Sequence, residues 1–318
     1  MYKLIQTSKY PSMPEGVEVR KFADMIAKHL KHNEITDITI LSGRYKKHKP
    51  FDGFDLLRAN FPLSVESVKS KGKLIFMTLR HGEKIFYLLS TLGLSGGWTY
   101  KAPEPKEDYE IPRVLEFVGA KTLNDWRQKT LKHLNVGFHL KNGGTLYFFD
   151  MLSFGTLKAT DSLITLNKKL DELGADILDE STDYHSFQQR IKQSRNLEKP
   201  VGNVLVNQKN ISGVGNYLRA DALWMSKISP FRKVSDLEDS EIDRIFNSLK
   251  ILVLGDYNIK EGRRLGFIKR NTKLPSDYKR DFWIYRESAD IHGNPVAKEE
   301  LFEGSQKRFI FWCPAIQK

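Results

Sequence analysis

From Glu15 to Lys31 the apolar residues Val19, Phe22, Met25, Ile26 and Leu30 recur at helical spacing, so an amphipathic helix begins almost at Pro14. The pattern then shortens to strand-length runs rich in β-branched and aromatic residues: Ile35–Leu41, Ser64–Ser70, Leu74–Arg80, Lys84–Ser90 and Val136–Leu140, several of them separated by Gly or Asn. Asn142-Gly143-Gly144 predicts a hairpin turn into Thr145–Phe149. Lys101–Pro112, with three prolines, reads as a surface excursion. After Gly155 helical spacing returns, over Leu166–Leu173, Tyr184–Gln193, Val201–Asn207, Gly215–Met225 and Ser240–Gly255. The end of the chain goes back to strand patterns around Phe282–Tyr285 and Arg308–Trp312, joined through His292-Gly293-Asn294-Pro295 and Gly304. The expected fold class is α+β: an N-terminal β-sandwich with one long helix, then a helical domain closed by a β-hairpin.

A chain of 318 residues is long enough for two compact domains, each with its own core. Lys and Arg number 51 against 39 Asp and Glu, a net charge of +12, which favours polyanions and above all nucleic acid. Charge alone is read equally well as a solvated basic face. The single cysteine, Cys313, excludes an internal disulfide framework and a multi-cysteine zinc site, and points to a reduced intracellular compartment. No run approaches the roughly 20 apolar residues of a membrane span, and Met1–Ser12 lacks the apolar stretch of a secretory signal. The expectation is a soluble, monomeric protein without cofactor or metal.

Met13-Pro14-Glu15-Gly16 is the first candidate for chemistry, because methionine before a small residue is a substrate for initiator-methionine removal, which would expose a prolyl amine. An α-amino group, with a reference pKa of about 7.7–8.0 against about 10.4 for lysine, is far more often neutral near pH 7. Attack of such an amine on a sugar C1′ displaces a base. A secondary amine then forms an iminium ion directly, and that electron sink eases elimination of the 3′-phosphate. Glu15 stands beside it as a candidate proton donor, and Glu18 as a partner for backbone donors in the first helical turn. Read on its own, P-E-G is more often a helix start, with Pro at the first helical position and acid in the first turn.

Lys73 lies in the turn Lys71-Gly72-Lys73, where a cation can reach a cleft or simply face water. In Gln208–Tyr217 the glycines Gly213 and Gly215 permit a tight turn, and the amides around Asn216 open a helix in a way that favours phosphate. Lys307-Arg308 before Phe309–Trp312 suits a phosphate clamp or a capped surface hairpin.

Together these pieces resemble the formamidopyrimidine-DNA glycosylase/endonuclease VIII family over nearly the whole chain. PEGVEVRKFAD (Pro14–Asp24) resembles the endonuclease VIII form of its N-terminus, with Val17 where a second proline is usual. SKGKL (Ser70–Leu74) is similar to its lysine turn, TLGLSGGW (Thr91–Trp98) to its LGMSG-type segment, and Asn207–Phe231 to its helix-two-turn-helix motif. The resemblance implies a two-step enzyme of base-excision repair acting on damaged duplex, single-stranded or bubble DNA. It implies Pro14 as Schiff-base nucleophile, Glu15 as proton donor, Lys73 as proton donor for β-elimination, His133 and Asn216 as phosphate contacts, and Arg308 as the phosphate-binding arginine that assists δ-elimination. Domains are expected at 13–160, 161–276 and 277–318, with 1–12 an extension outside the active enzyme.

Three departures qualify the resemblance. Most bacterial members build the terminal hairpin around four zinc-binding cysteines, whereas here Cys313 remains, with Val296 and Glu299 at plausible ligand positions, so this is similar to the zincless-finger branch. In Phe148–Leu157 the residues Leu152 and Ser153 replace both arginines of the family pattern, while Phe154 and Leu94 remain to wedge into the stack and fill the space of a flipped base. Weak discrimination of the opposite base follows. Finally, a peptide-bonded Pro14 has no free amine, so the expected functional protein starts at Met13 with methionine removed. Translation from Met1 would instead give a DNA-binding paralogue or lesion sensor without lyase activity. A pure nucleic-acid-binding module, as helix-two-turn-helix segments form in ribosomal and topoisomerase proteins, is the other class.

Overall fold

The computed structural model describes residues 14–103, 109–110, 131–256, 282–303 and 306–318. Met1–Ser12, most of the excursion Lys101–Pro112, the stretch 257–273 and Gly304 lie outside the described residues. The chain divides into two compact units. The first holds Glu18–Leu170 and the chain up to Pro14; the second holds Glu15–Val17 and Asp171–Lys318.

Helix α1 (Gly16–Leu30), in the first unit from Glu18 onward, forms where the apolar spacing predicts it. Its face of Val19, Phe22, Ile26 and Leu30 is almost wholly removed from water, each side chain contributing about 1.5–3 kcal/mol of transfer free energy. The strands are β1 (Glu34–Ile40), β2 (Leu63–Lys71), β3 (Leu74–His81), β4 (Lys84–Thr91), β5 (Gly96–Lys101), β6 (Tyr109–Glu110), β7 (Leu134–Leu140), β8 (Thr145–Asp150) and β9 (Thr156–Thr160), with short helices α2 (Gly43–Lys47) and α3 (Phe54–Arg58) after β1. They pair in the single order β6-β5-β8-β7-β1-β2-β3-β4-β9. The order folds over on itself into a sandwich. The indole of Trp98 on β5 donates to Ser90 Oγ on β4 at 3.1 Å, although those strands lie near opposite ends of the order. The core between the layers gathers Leu79, Phe86 and Leu88 with Trp98, Phe138 and Phe148.

The expected hairpin at Asn142-Gly143-Gly144 is present. Gly143 takes φ +85° and its N–H donates to Leu140 O at 2.9 Å, while Asn142 Oδ1 accepts from Gly144 N. Helix α4 (Leu163–Asp171) follows β9, and all but its last residue belong to the first unit. Lys71 Nζ donates to Leu170 O at 2.9 Å, tying the end of that helix to β2.

The second unit contains the short parallel pair β10 (Ala175–Asp176) and β11 (Ile211–Ser212), helices α5 (Tyr184–Ile191), α6 (Val201–Val206), α7 (Asn216–Met225) and α8 (Asp239–Asp256), and the antiparallel hairpin β12 (Ala297–Glu303)–β13 (Gln306–Trp312). Asp183 caps α5, accepting from Ser186 N at 2.8 Å. Leu218, Leu223, Ile228, Ile242 and Leu249 form the core with Leu301 and Ile310 of the hairpin.

Phe282–Tyr285, expected as a strand, is a turn. The N–H groups of Trp283, Ile284 and Tyr285 all donate to the Asp221 carboxylate on α7, at 3.3, 3.0 and 3.1 Å. Three successive amides cannot converge on one acceptor in an extended strand, where alternate residues face opposite ways. Among the described residues no helix is long and apolar enough to cross a membrane.

Candidate functional site

Glu15 is 1% exposed, and its carboxylate fills the N-terminus of α7. Oε2 accepts from Gly215 N at 2.8 Å and Leu218 N at 3.3 Å, and Oε1 from Tyr217 N at 2.9 Å. These are amides that the helix itself leaves unmet, and a negative charge there also meets the positive end of the helix dipole. The sequence reading placed phosphate at Asn216; the amides of Gly215, Tyr217 and Leu218 around it meet the protein's own carboxylate. Two glycines make this possible. Gly16 N donates to Gly213 O at 2.8 Å, and a Cβ on Gly16 would lie 2.8 Å from Gly213 Cα, while Gly213 itself adopts φ +93°. Burial raises the nearby Tyr285 phenol above its ordinary value, with Arg286 opposing the shift and the charge of Glu15 adding to it.

Asn216, the first residue of α7, is held from within. Its Oδ1 accepts from Arg219 Nη2 at 3.2 Å, and the fully buried Arg219 also donates to Gly202 O on α6 at 3.3 Å and to Phe309 O on β13 at 2.8 Å. One guanidinium thus joins α6, the start of α7 and the strand at the residue next to Arg308. Arg308 is half-buried and pairs in register with Leu301.

In the first unit Lys73 is half-buried in the two-residue turn between β2 and β3, where Gly72 takes φ +54°. His133 lies just before β7, and its carbonyl accepts from Asp150 N at 3.2 Å. Asp150 also begins the loop that carries Leu152 and Phe154, which are 48% and 58% exposed. Leu94 is half-buried in the turn before β5, and Glu18 is 5% exposed on α1.

The second unit therefore brings Glu15, Gly213, Gly215, Asn216 and the backbone beside Arg308 into one hydrogen-bonded cluster. The first unit joins His133 to the Phe154 loop through Asp150. Lys73 stands on a separate turn, and Pro14 directly precedes the division between the units.

Residues 13–157 match the formamidopyrimidine-DNA glycosylase N-terminal domain, and residues 173–258 match the formamidopyrimidine-DNA glycosylase H2TH domain, together most of the chain. The chain belongs to the formamidopyrimidine-DNA glycosylase/endonuclease VIII family. A formamidopyrimidine-DNA glycosylase of Listeria innocua is 26% identical over 208 residues, 64% of this chain and 73% of the relative. The endonuclease 8-like L720 of Acanthamoeba polyphaga mimivirus is 30% identical over 148 residues, 45% of this chain and 48% of the relative. In fold, the chain is similar to the Lactococcus lactis glycosylase solved on DNA containing an abasic site, with a TM-score of 0.68 at 17% identity, covering 96% of this chain and 99% of that one.

Within this family member a carboxylate ties together the segments that flank the terminal hairpin. Asp290 accepts from His292 N and Asn294 N at 2.9 Å, from the Asn294 side chain, from Trp224 Nε1 at 3.2 Å and from the Cys313 thiol at 3.7 Å. Burial pushes its carboxyl up, but the Asn294 side chain and the amides of Asn294 and His292 outweigh that and hold it at about 2. Val296 packs on the core, and Glu299 accepts from Trp312 Nε1 at 3.0 Å. Among the described residues no group of three or more His, Cys, Asp or Glu could hold a metal. Sequence reasoning did not single out Arg219, Asp150, Ser95, Asp221 or Asp290. A signal existed only for Arg219 and Asp221, charged residues within the apolar run of α7.

Proposed function

We propose that the chain is a bifunctional DNA glycosylase and abasic-site lyase of base-excision repair, with the amine of Pro14 as nucleophile. The observation that carries this reading is the seating of Glu15-Gly16 against the Gly213–Leu218 turn, which fixes the residues that follow Pro14. The prolyl nitrogen attacks C1′ of the damaged nucleotide and the base leaves with the bonding pair; the amine then loses its proton, and its lone pair expels the ring oxygen O4′, which is protonated as the C1′–O4′ bond breaks and the iminium ion forms. Glu15, fixed directly after Pro14 by three backbone N–H groups, is the group that relays that proton to the sugar oxygen or the departing base. Lys73 then serves β-elimination. Arg308 serves δ-elimination, and His133 and Asn216 hold flanking phosphates. A net charge of +12 supplies the attraction to duplex DNA, and lesion access requires the base to leave the stack.

This chemistry needs a free prolyl nitrogen. Borohydride trapping on abasic DNA compares the chain beginning at Met1 with the chain beginning at Met13 after methionine removal. The second should form a covalent adduct and the first should not. An adduct with neither form, alongside tight binding of abasic DNA, would make the protein a lesion-binding paralogue. The endonuclease VIII-like start leans toward oxidised pyrimidines and ring-opened purines, and a panel of single-lesion oligonucleotides identifies the preferred base.

A further inference from the structure

Gly213 carries the start of α1, because its carbonyl accepts from Gly16 N at 2.8 Å, yet at φ +93° it is a residue whose own backbone prefers no particular conformation. One side chain removes that freedom. Gln208 Oε1 accepts from Gly213 N at 3.0 Å, and Gln208 Nε2 donates to Val206 O and to Val214 O, both at 2.8 Å. An N–H and two carbonyls are satisfied together by one orientation of the amide only. Gln208 thereby clasps the backbone on both sides of the Gly213 carbonyl and keeps that carbonyl turned to Gly16. Its own backbone is anchored in turn, its carbonyl accepting from Gly174 N at 2.8 Å. Glu15 alone does not supply this restraint. Its carboxylate is fixed on α7, but a side chain with several rotatable bonds stands between that carboxylate and the backbone. The bond from Gly16 to Gly213 holds the main chain itself, just after Pro14.

We propose that Gln208 is a positioning residue for the Schiff-base step, clasping Gly213 so that Gly16 and Glu15 aim the prolyl amine that precedes them. This rests on the DNA-repair reading above. Gln208 touches no reacting atom. It acts through hydrogen bonds in series, from its amide to Gly213 and from Gly213 to Gly16. Attack by an amine on a sugar carbon demands alignment, and a misplacement of about 1 Å costs about a hundredfold in rate. Binding is insulated from this series, because Asn216 is held by Arg219 and not by Gln208.

The test reads position and chemistry separately in two variants. Gln208→Met is of similar size and loses the amide, whereas Gln208→Glu keeps an acceptor for Gly213 N and loses both donors. In the full chain, amide hydrogen exchange at Gly16 should be about tenfold faster in Gln208→Met, while amides in the body of α7 exchange as in the wild type. With the form beginning at Met13 after methionine removal, borohydride trapping at saturating abasic DNA should slow about a hundredfold in Gln208→Met, and affinity for a duplex carrying a tetrahydrofuran abasic analogue should stay within about twofold. Gln208→Glu should trap no faster than Gln208→Met, because its carboxylate faces two carbonyl oxygens with no proton to give. Wild-type exchange at Gly16 in Gln208→Met, wild-type trapping, or equal losses of trapping and affinity would overturn the inference, as would restored trapping in Gln208→Glu. Faster exchange throughout α7 would make Gln208 a general support of the fold and overturn it too. Absence of trapping by the wild-type form would instead defeat the repair reading, while exchange at Gly16 still decides whether Gln208 holds the start of α1.

Discussion

Two buried carboxylates gather backbone amides from a turn, one in each unit. Glu15 collects Gly215, Tyr217 and Leu218 at the start of α7, and Asp150 collects Leu152 and Gly155 after β8. The first fills a helix N-terminus that would otherwise attract an outside anion, leaving Asn216 and the backbone beside Arg308 held by Arg219. The second spends its acceptors on a loop whose outward side chains are apolar. The same device presents polar groups in one unit and exposed apolar side chains in the other. A buried acid near a loop is therefore read by what the gathered backbone displays, not by the acid itself.

The strongest way to break the comparison is Glu15→Ala, which strips three amides of their acceptor at a cost of at least about 3 kcal/mol. Denaturant unfolding should show that loss, together with base release below detection; a variant of wild-type stability would mean that the α7 amides find water or another acceptor. Arg219→Met comes next. Asn216 Oδ1, Gly202 O and Phe309 O lose their donor, costing about 2–3 kcal/mol, and affinity for abasic DNA should fall. Arg219→Lys would recover little of either, since an ammonium lacks the planar fork that reaches three oxygens.

The smallest effect sharpens the contrast between acids that share this amide-gathering role. Burial pushes the Asp221 carboxyl from an ordinary 3.8 up to about 7, against the N–H groups of Ile284, Trp283 and Tyr285. The folded chain then keeps a proton that the unfolded chain loses, so this contribution is full below about 3.8 and disappears as pH rises through about 7. Asp290, depressed from 3.8 to about 2, acts in the opposite direction: its contribution is full above 3.8 and is lost as pH falls through about 2. Melting temperatures across pH should show Asp221→Asn flattening the neutral limb and Asp290→Asn flattening the acid limb. Exchanged limbs would reverse the assignment.

Much of the architecture was legible because it is local. The spacing of Val19, Phe22, Ile26 and Leu30 is enough for α1, and the Asn142-Gly143-Gly144 turn is enough for its hairpin, since each depends on neighbours a few residues apart. The family motifs were likewise legible as strings. Their contacts were not. Glu15 meets partners about 200 residues further along, and Ser95 and Asp150 are 55 apart. Phe282–Tyr285 misled for the same reason, because its aromatic and β-branched composition suits a strand until Asp221, more than 60 positions away, draws three consecutive amides to one side. The sequence by itself determined the periodic elements, the glycine positions and the order of the chemically able residues. Only the tertiary structure decided which carboxylate meets which amides, because a buried charge settles wherever long-range packing brings enough donors to replace water.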